Sequence, residues 1–168
     1  MVSQSKQTEL IPVRVGFFKT GALQFISHLD LTRCMTHTIA RAGVPILYSQ
    51  GFNPHPKMVF SLPLSIGVES IREYLDFKLV QPMDFSEIRE RLNAQLPEQM
   101  QVTRVYTPQR KLDQIGYASY EICLWMPGAD SALAADLEEL YHGEMIVTKR
   151  TKSGEKEVDI SPFVRGAA

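Results

Sequence analysis

Cysteine is nearly absent from this chain: only Cys34 and Cys123 occur among 168 residues, and no Cys-x-x-Cys pair exists. That count excludes a disulfide framework and a four-thiolate cluster, and each cysteine sits in an apolar pattern that predicts a buried free thiol. No apolar run approaches the roughly 20 residues that span a bilayer, and the polar start Met1–Leu10 lacks a signal-peptide core. A cytoplasmic protein with no membrane partner is therefore expected. Phosphate-binding P-loops, Gly-x-Ser-x-Gly elbows and Gly-x-Gly-x-x-Gly turns are missing. His28 and His37 are too far apart for a helical ligand pair, and Asp30 lies about 200° from His28 around a helix axis. No metal site is expected.

A globular balance is present instead, with 44% hydrophobic and 22% charged residues. A chain of this length suits one medium domain or two small ones. The net charge of -1 argues against a general polyanion binder, but its distribution is uneven. Up to Leu62, six cations (Lys6, Arg14, Lys19, Arg33, Arg41, Lys57) face two anions (Glu9, Asp30), so the rest carries an excess of five anions. The first part can thus present a positive surface.

Val13, Val15 and Phe17 alternate with Arg14 and Gly16 in a strand pattern. Lys19-Thr20-Gly21 reads as a turn, with Leu23–Ile26 continuing in extended form. Ser27 with Asp30 three residues on forms a capping-box variant that opens a helix through Ala42; Gly43 and Pro45 stop it. Ile46–Tyr48 and Met58–Leu62 are apolar strand stretches. Glu73–Val80 alternates cleanly; Asp84 and Glu87 open a helix that Pro97 ends; Met100–Tyr106 is another strand. The order β-α-β-β-α-β predicts an α+β, ferredoxin-like unit over residues 11–107, provided Gln50–Lys57 is an excursion from the second strand. Thr107–Gly116 reads as a linker. A strand at Tyr120–Met126, a helix capped by Asp130 and stopped by Gly143, and a hairpin around Ser153-Gly154 make a β-α-β-β half-unit over 117–165. An incomplete half-unit would expose apolar surface and could self-associate.

The segment Gln50-Gly51-Phe52-Asn53-Pro54-His55-Pro56-Lys57 is the densest candidate site. Two prolines stiffen it, and Gly51 permits close approach of a ligand. Lys57 offers charge, Asn53 a paired donor and acceptor, His55 a donor or acid/base group, and Phe52 a stacking ring. Those groups suit a phosphate or a base edge. The same residues also fit a rigid turn with Phe52 in the core and His55 solvated. His28, in the first turn of the first helix, and Lys19 just before it would add an anion pocket if they converged with the loop.

The runs Phe18-Lys19-Thr20-Gly21, Phe25-Ile26-Ser27-His28-Leu29-Asp30, Arg41-Ala42-Gly43-Val44-Pro45 and Tyr48–Lys57 resemble the radical-SAM-linked protein family. Pro63–Ser70, Glu73-Tyr74-Leu75-Asp76, Leu92–Pro97 and Glu157-Val158-Asp159-Ile160 extend the resemblance over about Val13 to Arg165. Members of that family are encoded beside, or fused behind, a radical SAM protein, often near ribonuclease and ribosomal-protein genes. The resemblance implies an accessory role with such an enzyme and names no catalytic residue. Members run on past the Val-Asp-Ile strand, so the second unit here is expected to be truncated.

Three functions follow as expectations. The first is a non-catalytic, substrate-binding partner of a radical SAM enzyme, acting on RNA through Lys19, His28, Arg33, Gly51, Phe52, Asn53, His55 and Lys57. Two cysteines cannot supply the three thiolates of a radical SAM cluster, so S-adenosylmethionine and the iron–sulfur cluster would belong to the partner. The second is a metal-free RNA-processing enzyme using His28 or His55 for acid/base chemistry. The third is a protein–protein assembly module with a purely structural loop.

Overall fold

The computed structural model describes residues 9–123, 125–128 and 130–166. The chain divides into two compact units, the first ending at Ala118 and the second starting at Ser119.

The first unit begins with strand β1, Ile11–Lys19, followed by a 3-10 turn at Gly21–Phe25 and helix α1, His28–Ala42. Strand β2, Met58–Phe60, and strand β3, Ser70–Leu79, precede helix α2, Phe85–Asn93, and strand β4, Val102–Tyr106. The four strands form one sheet in the order β2-β3-β1-β4, with antiparallel neighbours throughout.

Local sequence accounts for the helix ends. Ser27 Oγ accepts the Asp30 backbone N–H and opens α1, while Gly43 closes it in the left-handed region at φ 63°. Asp84 accepts the Ser86 and Glu87 backbone N–H groups at the start of α2. Leu31, Met35 and Ile39 of α1 and Ile88 and Leu92 of α2 enter one core with Val13, Val15 and Phe17 of β1 and Leu75, Phe77 and Leu79 of β3. Fully burying each such side chain contributes about 1.5–3 kcal/mol. The even-numbered residues of β1 and β3 point away from that core, which sets up the site described below.

Three expectations for this unit change. Leu23–Ile26 is not extended; a 3-10 turn takes Gly21–Phe25, anchored where Lys19 Nζ donates to the Leu23 carbonyl. Ile46–Tyr48 is no regular strand: Ile46 makes one bridge to Leu79 and Tyr48 one to Pro56. Residues 47–57 leave the sheet as a hairpin, with Ser49 N–H on the His55 carbonyl and Lys57 N–H on the Leu47 carbonyl. The edge strand then resumes where Met58 faces Phe77, two residues along β3 from Leu79. The stretch 107–116 includes a 3-10 turn at Leu112–Gln114, with Leu112 buried.

In the second unit, helix α3, Ser131–His142, is capped by Asp130, whose carboxylate accepts the Leu133 N–H. Strands β5, Ile146–Thr151, and β6, Gly154–Asp159, make a two-stranded hairpin. The strand expected at Tyr120–Met126 does not form among the described residues, and Tyr120, Ile122, Trp125 and Met126 are exposed. A strand needs a ladder partner for its N–H and C=O groups, and the β5–β6 pair takes in no third strand among the described residues. Cys123, expected to be buried, is exposed for the same reason, while Cys34 is half-buried. No helix among the described residues is long and apolar enough to cross a membrane.

Candidate nucleic-acid interface

The sheet of the first unit carries two cross-strand rows on the face opposite the core. In one row Tyr74 of β3 pairs with Gly16 of β1, which pairs with Arg104 of β4. In the next, Asp76 pairs with Arg14, which pairs with Tyr106. Four cationic or aromatic groups, Tyr74, Arg104, Arg14 and Tyr106, thus flank a glycine on an inner strand of the sheet. A Cβ on Gly16 would lie 3.0 Å from Arg104 Cγ and 3.2 Å from its Nε, so the missing side chain is what lets Arg104 lie flat across β1.

Arg104 uses that space. Its Nη2 donates to the Tyr74 hydroxyl at 2.8 Å. Its guanidinium carbon stands 5.5 Å from the Tyr74 ring centroid and 5.1 Å from that of Tyr106. Arg14 sits 5.9 Å from the Tyr74 centroid. These are cation–π distances. No carboxylate is paired with Arg104 among the described residues, so its charge faces solvent between two rings.

Arg14 is held differently. Its Nε donates to Asp76 Oδ1 at 2.6 Å, and Nη2 donates to Asp76 Oδ2 at 2.7 Å and to the Arg110 carbonyl at 2.8 Å. Its side chain is 9% exposed and that of Asp76 24%. The hydrogen bonds that Asp76 accepts raise the Arg14 pKa above its ordinary value, against the opposing effect of burial. The pair therefore works as a rigid strut that orients Arg14 beside the Tyr74 ring.

The residues singled out along the chain are dispersed. Lys19 is 2% exposed, and its Nζ donates to the carbonyls of Leu23 at 3.1 Å and Val68 at 2.9 Å, so it cannot offer a surface charge. Burial lowers its pKa while Glu73 and Glu69 act to raise it. Glu73, 6% exposed on the core side, has its pKa raised by burial, with Ser70 and Lys19 acting to lower it. His28 lies edge-on to Phe60 with ring centroids 5.2 Å apart, and its Nδ1 is buried without a partner. Arg33 is exposed and paired with Asp30 at 3.2 Å. Gly51, Phe52, Asn53, His55 and Lys57 are all exposed. Phe52 is not in the core but fully in solvent. His55 is fixed by Ser49, whose Oγ lies 2.9 Å from Nδ1 and accepts the His55 backbone N–H at 3.0 Å. No hydrogen bond, ion pair or ring contact among the described residues links Lys19 or His28 to residues 50–57. No group of three His, Cys, Asp or Glu residues stands together as a metal site among the described residues.

Reading along the chain missed Arg14, Gly16, Tyr74, Arg104 and Tyr106. The available signal was strand parity for Arg14, Gly16 and Tyr74, even positions that alternate with buried odd ones; in β4, where Val102 is the buried residue and the pairing register shifts, parity gave no such signal for Arg104 and Tyr106. That same parity puts Lys19 in the inward set with Val13, Val15 and Phe17.

Neither the curated proteins nor the solved structures contain a match to this chain. A family model described as "Uncharacterized protein conserved in bacteria" matches residues 13–168, both units included, and the chain belongs to that family, DUF2344.

Proposed function

We propose that this protein is an accessory subunit of a radical SAM enzyme and that its first unit, of ferredoxin-like type, binds single-stranded RNA on the open face of its sheet. The observation that carries the RNA reading is Arg104 lying over Gly16 between the rings of Tyr74 and Tyr106. Bases stack on exposed aromatic and guanidinium planes, and backbone phosphates are drawn by cations. Arg14, Lys78 and Arg104 share this face with one acidic strand residue, Asp76. The hairpin bearing Asn53, His55 and Lys57 leaves from the β2 edge, where a strand crossing from β4 would pass off the sheet. The sheet order β2-β3-β1-β4 with two helices on one core supports the ferredoxin-like assignment.

The partnership rests on the motifs from Phe18 to Ser70 that resemble the radical-SAM-linked family. With two cysteines in the chain, the cluster and S-adenosylmethionine would be the partner's. The second unit, a helix with a hairpin, would be the docking or self-association half-unit.

The test is fluorescence anisotropy of the full chain with single-stranded RNA at several salt concentrations. Affinity should fall with salt at a slope of about 0.7 per phosphate contacted. Arg104→Ala should weaken binding by about 1–3 kcal/mol, the range for loss of a stacking contact. Salt-independent binding, or binding unaffected by Arg104→Ala, refutes the interface. Co-purification with a radical SAM protein encoded nearby tests the partnership separately. Metal-free cleavage of the same RNA, lost in His55→Ala, would replace the accessory reading with an acid/base enzyme.

A further inference from the structure

Beside the two rows, the open face ends in a recess of about 510 Å³ lined by Arg14, Tyr106, Thr107, Gln109 and Arg110. The volume lies within the roughly 300–1,000 Å³ of small-ligand clefts. Its lining contains two guanidinium groups, a phenol, a hydroxyl and an amide, and no carboxylate.

Arg14 is the built part. Its side chain is nine-tenths buried, and Asp76 and the Arg110 carbonyl take Nε and Nη2. Neither takes Nη1, the edge of the guanidinium left to Tyr106 and to the recess. The Tyr106 phenol is the remaining polar group acting on Arg14. Asp76 neutralises the charge of Arg14, so the net attraction for an anion comes from Arg110, an exposed residue of the lining. A guanidinium fork matches the oxygens of a phosphate better than any other side chain. Tyr106 serves both places: its ring faces Arg104 on the stacking rows, and it lines the recess.

We propose that this recess holds the phosphorylated terminal nucleotide of a single-stranded RNA, fixing the end of a strand whose next bases lie on Tyr106, Arg104 and Tyr74. The phosphate takes Arg110 and Nη1 of Arg14, beside the Tyr106 phenol. The amide of Gln109, a donor and acceptor together, meets the base edge. The inference rests on the RNA-binding reading of the same face and adds the chemical class of its end group.

The experiment compares one ten-nucleotide RNA sequence with a 5′-phosphate, a 3′-phosphate or hydroxyl ends, by anisotropy on the full chain. One phosphorylated form should bind at least about tenfold tighter than the hydroxyl form, the scale of a charge-assisted contact. Arg110→Gln, at an exposed position, should erase that preference while hydroxyl-ended RNA still binds. Equal affinity for all three ends overturns the end-group proposal and leaves the RNA reading standing; no binding of any form overturns both. A nucleoside monophosphate that binds as tightly as the phosphorylated ten-mer marks a free-nucleotide site and overturns the strand-end assignment.

Discussion

Asp76→Ala should damage the protein more than removal of its partner does. Asp76 receives two short hydrogen bonds from Arg14, at 2.6 and 2.7 Å. Without it, the Arg14 side chain, 9% exposed in the intact pair, is left with the Arg110 carbonyl as its chief acceptor. Stranding one member of a fully buried pair costs about 3–5 kcal/mol. Asp76 is itself 24% exposed, so solvent reaches the pair and the loss should be nearer 2 kcal/mol. Arg14→Leu leaves a carboxylate that water can reach and restores apolar packing, so its loss should be about 1 kcal/mol. Asp76→Leu combined with Arg14→Leu should recover most of the stability. The assay is urea unfolding followed by amide exchange in β1 and β3 peptides. The single tryptophan, Trp125, lies in the other unit and would report on that one. With about 1–3 kcal/mol per molar urea, the Asp76→Ala midpoint should drop by roughly 1 M. An Arg14→Leu variant as damaged as Asp76→Ala, or a double variant worse than either, would show that burial of the cation is not what matters.

Gly16→Ala should leave stability within about 1 kcal/mol of the parent, because the atom it meets belongs to a flexible side chain, Arg104. It should still weaken RNA binding several-fold; unchanged affinity would mean that Arg104 need not lie across β1. Glu73 should give the protein a distinctive acid response. Its pKa is raised above the ordinary value of 4.5, so its protonated form is favoured by folding. Its contribution is fully present below the ordinary value and is lost as pH rises through the raised one. Comparing urea midpoints of the parent and Glu73→Gln from pH 7 down to pH 4.5, the parent should gain on the variant; a constant difference would count against a buried carboxylate. Ser27→Ala should destabilise by about 1 kcal/mol through loss of the α1 cap, read as faster exchange at the Asp30 amide.

Much of this architecture is local chemistry that can be read along the chain. Ser27 with Gly43, and Asp84 with the turn it opens, bound two helices because caps act within a few residues. Alternation at Val13–Phe17 and Leu75–Leu79 sorts inward from outward residues without knowledge of any partner. Residues whose state depends on a neighbour were not legible in this way. Tyr120–Met126 alternates like a strand, but its described residues have no ladder to join. Phe52 is as apolar as Phe17, yet one tops a hairpin and the other is wholly buried.

The candidate interface belongs to this second kind. Polarity along the chain draws attention to Gln50–Lys57 because its groups are contiguous. The open face is assembled from pairs two residues apart on three strands: Arg14 and Gly16, Tyr74 and Asp76, Arg104 and Tyr106. Sequence alone determined the parity of the β1 and β3 positions, since successive side chains of a strand point to opposite sides; in β4 a register shift breaks that alternation between Val102 and Arg104. Strand order and register, set by burial of the shared core, decided which even positions meet, and so whether a lone arginine comes to rest between two rings.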